Sequence, residues 1–134
     1  MDIKELVDNF ELLEDWEDKY AYLINLGGNL PEMDESLKIE ENRVKGCLSQ
    51  VWMVLKLNSN GKICFIADSD AQIVKGLVAI LYIFINGKTI DEVKSLNIKD
   101  TFSKIGLDQH LSPNRRNGFF SMLEIINNFI EINI

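Results

Sequence analysis

The stretch Ser49–Ala67, "SQVWMVLKLNSNGKICFIA", decides the fold. Val51, Met53, Leu55 and Leu57 point one way and Gln50, Trp52, Val54 and Lys56 the other, the period-two alternation of a pleated strand over Ser49–Leu57. Asn58-Ser59-Asn60-Gly61 is a turn signal, and Lys62–Ala67 is a second apolar run rich in strand-forming residues. The pattern predicts an antiparallel hairpin, with Asn42–Lys45 adding a short third strand.

C-terminal to the hairpin, Asp68-Ser69-Asp70 supplies candidate helix caps, and Ser69 with Gln72 has the spacing of a capping box. The helix that follows, Ala71–Ile85, is apolar nearly all round and is expected in the middle of the domain, stopped by Asn86-Gly87. Short helices are expected near Ile90–Leu96 and Thr101–Ile105. The last helix opens with Ser112 as N-cap and Pro113 in the first helical position, where its missing N–H costs nothing. Its buried stripe is read as Phe119, Met122, Leu123, Ile126, Phe129 and Ile130.

N-terminal to the hairpin, Ile3, Leu6, Val7 and Phe10, then Trp16, Tyr20, Leu23 and Ile24, recur at helical spacing and predict two helices meeting at Asp15. Gly27-Gly28 is expected to end the second by its tolerance of positive φ, and Pro31 to prevent resumption. The acidic residues Glu11, Glu14, Asp15, Glu17 and Asp18 read as a solvated helix face. Pro31–Asn42 suits a surface connection with about one helical turn. The fold class is therefore α+β: a small antiparallel sheet of about three strands packed against and surrounded by helices.

With 134 residues, 46% of them hydrophobic and 26% charged, the chain suits one domain over 1–134 with its own core. The longest uncharged apolar stretch, Gly76–Gly87, is far short of the roughly 20 residues that cross a bilayer, so no membrane span is expected. The N-terminus does not read as a secretory signal, and a cytoplasmic location is expected. Fourteen Lys and Arg against 21 Asp and Glu give a formal charge of −7, which disfavours nucleic acid as a partner.

Two cysteines without an export signal read as thiols. Cys64 lies mid-strand between Ile63 and Phe65, where a small buried thiol is the default. Cys47 follows Gly46 and precedes the first strand, which places it on a loop tip where a thiol can reach another molecule. At its ordinary pKa only a small fraction is thiolate at neutral pH. A lower pKa needs a positive charge or a helix N-terminus, and "HLSPNRRNG" offers His110, Arg115, Arg116 and the amides after Ser112. For the arginines solvated charge, and for His110 a loop role, stand as the alternatives. Two Cys and one His fall short of the three or four such ligands a zinc or iron–sulfur site takes, and no glycine-rich nucleotide motif is present. No cofactor is expected.

Four blocks in order, "WEDKYAYLINLGGNLP" (Trp16–Pro31), "NRVKGCLSQVWM" (Asn42–Met53), "DSDAQIVKGLVAIL" (Asp68–Leu81) and "HLSPNRRNGFFSM" (His110–Met122), resemble the SufE family of bacterial sulfur-acceptor proteins. Ala67 stands where the family pattern suggests Gly, and Gly28-Asn29 replaces a pair that commonly includes Lys. The resemblance implies a fold similar to iron–sulfur scaffold proteins but without their cluster ligands. It implies that Cys47 is the sulfur-accepting cysteine, and it places Arg115 in the family's Ser-Pro-x-Arg block as a thiolate or partner contact. The implied partners are a pyridoxal-phosphate cysteine desulfurase, which Cys47 would relieve of persulfide sulfur, and an iron–sulfur assembly scaffold. Such a persulfide calls for a partly apolar recess, for which Trp52, Met53 and the apolar face of the last helix are candidate walls although ordinary core is the favoured reading of each, and for a loop that moves on docking. A Cys47–His110 hydrolase or transferase and a non-catalytic desulfurase regulator stand as rivals, and a homodimer of the free protein stays open.

Overall fold

The hairpin forms as the alternation requires. In the computed structural model, which describes residues 1–134, strand β1 (Val51–Leu57) pairs antiparallel with β2 (Ile63–Ser69), from Val51 opposite Ser69 to Leu57 opposite Ile63. The turn closes around Asn58, whose N–H donates to the Lys62 carbonyl at 2.9 Å and whose side-chain oxygen accepts from the Asn60 and Lys62 amides. Val51 and Met53 are buried with Ile63, Phe65, Ala67 and Ser69, while Leu55 and Leu57, near the turn, are not. Cys64 belongs to the opposite, half-buried face of β2, so the expected buried thiol is instead partly open, opposite Lys56.

Sheet and helices share one hydrophobic core, and the α+β class is as expected. The third strand shrinks to a single bridge between Arg43 and Trp52, with the Val44 amide donating to the Val51 carbonyl at 2.8 Å. The preceding connection carries two 3-10 turns, Glu35–Leu37 and Glu40–Asn42, in place of a longer strand. Asp68 anchors that connection: its carboxylate meets Lys38 at 2.9 Å and Lys75 at 3.3 Å, joining the turns to β2 and the next helix.

Helices α1 (Ile3–Leu12) and α2 (Trp16–Gly28) meet where expected, each N-capped by an aspartate, Asp2 and Asp15. α2 runs through both glycines to an Asn29 C-cap, and neither glycine has positive φ. Gly27 serves close packing instead. A Cβ there would lie 2.8 Å from the Gly76 amide nitrogen, and one on Gly76 would run into the Leu23 carbonyl oxygen. The two glycines thus let α2 approach the central helix α3 (Gln72–Ile85) backbone to backbone, and α3 is buried on nearly all sides.

The capping box expected at Ser69 and Gln72 does not form. Ser69 stays in β2, and α3 starts after Ala71 without a side-chain cap; Ser69 Oγ accepts only the Ala71 amide at 3.3 Å. A capping box does form at Thr89 and Glu92, opening α4 (Ile90–Lys94). α5 (Ile98–Lys104) and α6 (Leu107–His110) lead into α7 (Pro113–Ile132), whose N-cap is Ser112 and whose buried residues include Phe119, Met122, Leu123, Ile126 and Ile130. Phe129 is only partly buried. No helix is long and apolar enough to cross a membrane.

Candidate functional site

The site is built from the loop between the Arg43–Trp52 bridge and β1. Its ends are pinned: at one by the Val44 amide to Val51, at the other by a pair of bonds, the Gln50 amide to Asp70 Oδ1 at 3.0 Å and the Asp70 amide to the Gln50 carbonyl at 3.2 Å. Between these pins the backbone of residues 45–49 makes no intramolecular hydrogen bond. Asp70, read as a helix cap, is instead the clamp on this loop.

Gly46 turns the loop with φ +86°, a left-handed conformation that suits glycine. A Cβ on it would also fall 2.8 Å from Ser121 Oγ, which would have to rotate away, so backbone conformation is the stronger demand for glycine. The turn aims the Cys47 side chain at α7, where Gly118 opens a seat for it: a Cβ on Gly118 would stand 3.0 Å from Cys47 Sγ. The half-buried thiol shares a recess of about 30 Å³ with Leu48, Ser49, Val74, Asn114, Arg115 and Gly118. That is room for roughly one water-sized group beside the sulfur.

Burial pushes the Cys47 thiol above its ordinary pKa, because the recess disfavours the charged thiolate. The positive charge of Arg43 opposes this without cancelling it. The sequence pointed to other cations, and the structure sorts them. Arg115 lines the recess, is exposed and has no ion pair. Arg116 turns away, its guanidinium donating to the Asp108 carbonyl at 3.0 Å. His110 is outside the recess: its ring stacks on Trp16 with centroids 3.8 Å apart, and its Nδ1 lies 3.0 Å from the Gly106 carbonyl oxygen. The structure therefore does not bring Cys47 and His110 together.

Trp52 and Met53 are not walls of the recess. Met53 is buried in the core, and Trp52 lies on the other sheet face with the Lys38 ammonium 5.6 Å from its ring. The wall from α7 is its polar first turn with Gly118, in place of the apolar stripe. Sequence reasoning missed Arg43, Asp70, Val74 and Gly118. Only Gly118 left a signal: a glycine inside a helix with no turn to make costs about 1 kcal/mol relative to alanine and asks for a close neighbour. No three His, Cys, Asp or Glu side chains gather where they would hold a metal ion.

Residues 4–130 match the family described as "SufE: Fe-S metabolism associated domain". The chain is 44% identical over 127 residues to an uncharacterized SufE-like protein of Rhizobium meliloti (strain 1021), across 92% of this chain and 91% of that one. It is 45% identical over 127 residues to an uncharacterized SufE-like protein of Rhizobium etli, across 92% and 86%. Among solved structures, the solution structure of a hypothetical protein from Thermus thermophilus matches with a TM-score of 0.77 over 96% of this chain and 93% of that one. At 18% identity that likeness speaks for the fold alone.

Proposed function

The chain belongs to the SufE family and has a role in iron–sulfur metabolism, and from that premise we propose that it is a sulfur acceptor whose acceptor atom is Cys47 Sγ. The donor is a persulfide on a pyridoxal-phosphate cysteine desulfurase. Cys47 thiolate attacks the donor's terminal sulfur; a sulfur–sulfur bond forms on Cys47, the donor's sulfur–sulfur bond breaks, and the donor cysteine leaves as thiolate. The pair of proteins undergoes no net oxidation. Cys47 then carries the persulfide to an iron–sulfur assembly scaffold.

The observation that carries this reading is the seat of Cys47: a half-buried thiol, on a loop whose backbone makes no hydrogen bonds, beside room for about one further group. A reactive persulfide needs shelter in transit and exposure at each end. Shelter alone works against attack, since burial keeps the thiol protonated. Movement of the 45–49 loop on docking resolves this by bringing the sulfur out of the recess, and the unpaired guanidinium of Arg115, at the rim, is assigned the role of stabilising its anion or meeting the partner. The rival reading as an autonomous hydrolase has little support, because the only histidine, stacked on Trp16, is not among the residues that line the recess.

The test is to mix the protein with its desulfurase and cysteine and to follow both desulfurase turnover and the mass of the carrier. The reading expects one added sulfur and faster turnover with the native chain, and neither with Cys47→Ser. Undiminished labelling and stimulation in Cys47→Ser would exclude it, and stimulation retained without labelling would favour a non-catalytic regulator.

A further inference from the structure

The Cys47 loop carries a second feature that the transfer chemistry does not use. Leu48, next to Cys47, is 80% exposed, the most exposed large apolar side chain between Leu13 and Glu131. Cys47 is half-buried in its seat against Gly118, while Leu48 beside it, on the bend at the rim of the recess, faces solvent. Cations flank it. Lys45 is exposed and held only by a surface pair with Glu40 at 2.7 Å, and Arg115, across the recess, has no pair at all. On a chain of net charge −7, Leu48 thus shares a recess with an unpaired arginine and follows, three residues on, a lysine held only by an exposed pair.

We infer that Leu48 is the docking anchor for the sulfur donor and the lever that draws Cys47 from its recess, seating in an apolar pocket of the donor that is rimmed by carboxylates. This rests on the sulfur-acceptor reading for the identity of the donor. The pocket must be apolar because it takes a leucine, and acidic at its rim because Lys45 and Arg115 meet it. The Lys45–Glu40 pair gives little resistance to exchange for a donor carboxylate, since exposed pairs of this kind contribute little. The lever follows from the loop. With residues 45–49 free of backbone hydrogen bonds and pinned only at Val44 and Gln50, outward displacement of Leu48 carries Cys47 with it and breaks no bond between the pins. The apolar area that Leu48 loses to the donor exceeds what the smaller Cys47 gives up in leaving the recess.

The test separates docking from transfer. In a Cys47→Ser background, where no sulfur moves, calorimetric titration with the desulfurase is expected to show affinity about 10-fold weaker for Leu48→Ser, as expected for losing one buried leucine. Leu48→Met should restore it to within a few-fold. Lys45→Glu and Arg115→Glu should each weaken binding and flatten its dependence on salt. In a Cys47-containing chain, a saturating desulfurase whose own catalytic cysteine is replaced by serine should accelerate alkylation of Cys47, and Leu48→Ser should abolish that acceleration. Native affinity in Leu48→Ser, or weakened binding that Leu48→Met does not restore, overturns the anchor. Unaltered acceleration in Leu48→Ser overturns the lever. If Leu48→Ser binds normally while Cys47 still accepts sulfur, the inference falls and the acceptor reading stands; weakened binding with no sulfur on native Cys47 gives the reverse.

Discussion

At the scale of single residues, Cys47 and Gly118 make one device: a thiol whose shelter exists because the helix beside it lacks a side chain. Gly118→Ala places a methyl group 3.0 Å from the seated sulfur, closer than a relaxed contact, and the flexible partner is the cysteine. The thiol should be displaced toward solvent, with iodoacetamide alkylation of Cys47 several-fold faster and thermal stability little changed, as the better helix propensity of alanine offsets lost packing. Equal alkylation rates would contradict the seat. The raised thiol pKa has its own consequence. The folded thiol titrates above its ordinary, unfolded pKa, so from that ordinary pKa upward the unfolded state holds fewer protons and stability falls. This contribution is fully present below the unfolded pKa and is lost as pH rises through the folded one. Urea unfolding from pH 7 to 10 should show a decline that Cys47→Ser reduces, and Arg43→Gln should move the alkylation midpoint further upward. Cys47 was legible because Gly-Cys before a strand marks a loop tip. Arg43, Asp70 and Gly118 were not, because their roles depend on which chain segments meet.

At the scale of elements, the hairpin and the two long apolar helices stand where hydrophobic period placed them, since burial of one face enforces register. Local polar signals were less reliable. Asp68-Ser69-Asp70 has the composition of a helix cap, yet the strand claims Ser69, the lysines claim Asp68 and the Cys47 loop claims Asp70. Tertiary partners prevail over the local cap in each case. The same holds for Gly27, read as a helix stop and found as a packing surface. Gly76→Ala would drive a methyl group into the Leu23 carbonyl, a rigid backbone atom, and should cost about 3 kcal/mol and lower the melting temperature clearly. Asp70→Ala should release the C-terminal pin of the loop, seen as faster hydrogen exchange at the Gln50 amide and faster alkylation of Cys47 with little change in melting temperature.

At the scale of the whole molecule, an acidic body presents one thiol, one exposed leucine and one unpaired cation, Arg115, around a small recess. The family was legible from four ordered sequence blocks; the recess was not, because its walls come from the loop, the start of α3 and the first turns of α7. The body holds a second thiol, Cys64, on the outer face of the sheet and lining a different groove with Lys56 and Tyr82. That makes the decisive measurement a peptide map. After incubation with the desulfurase and cysteine, persulfides are trapped by alkylation and located by mass spectrometry of the digested carrier. The account predicts the added sulfur on the peptide containing Cys47 and not on that containing Cys64, with Cys64→Ser labelled as fully as the native chain. Sulfur found on Cys64, or on neither cysteine while the desulfurase is turning over, would contradict it.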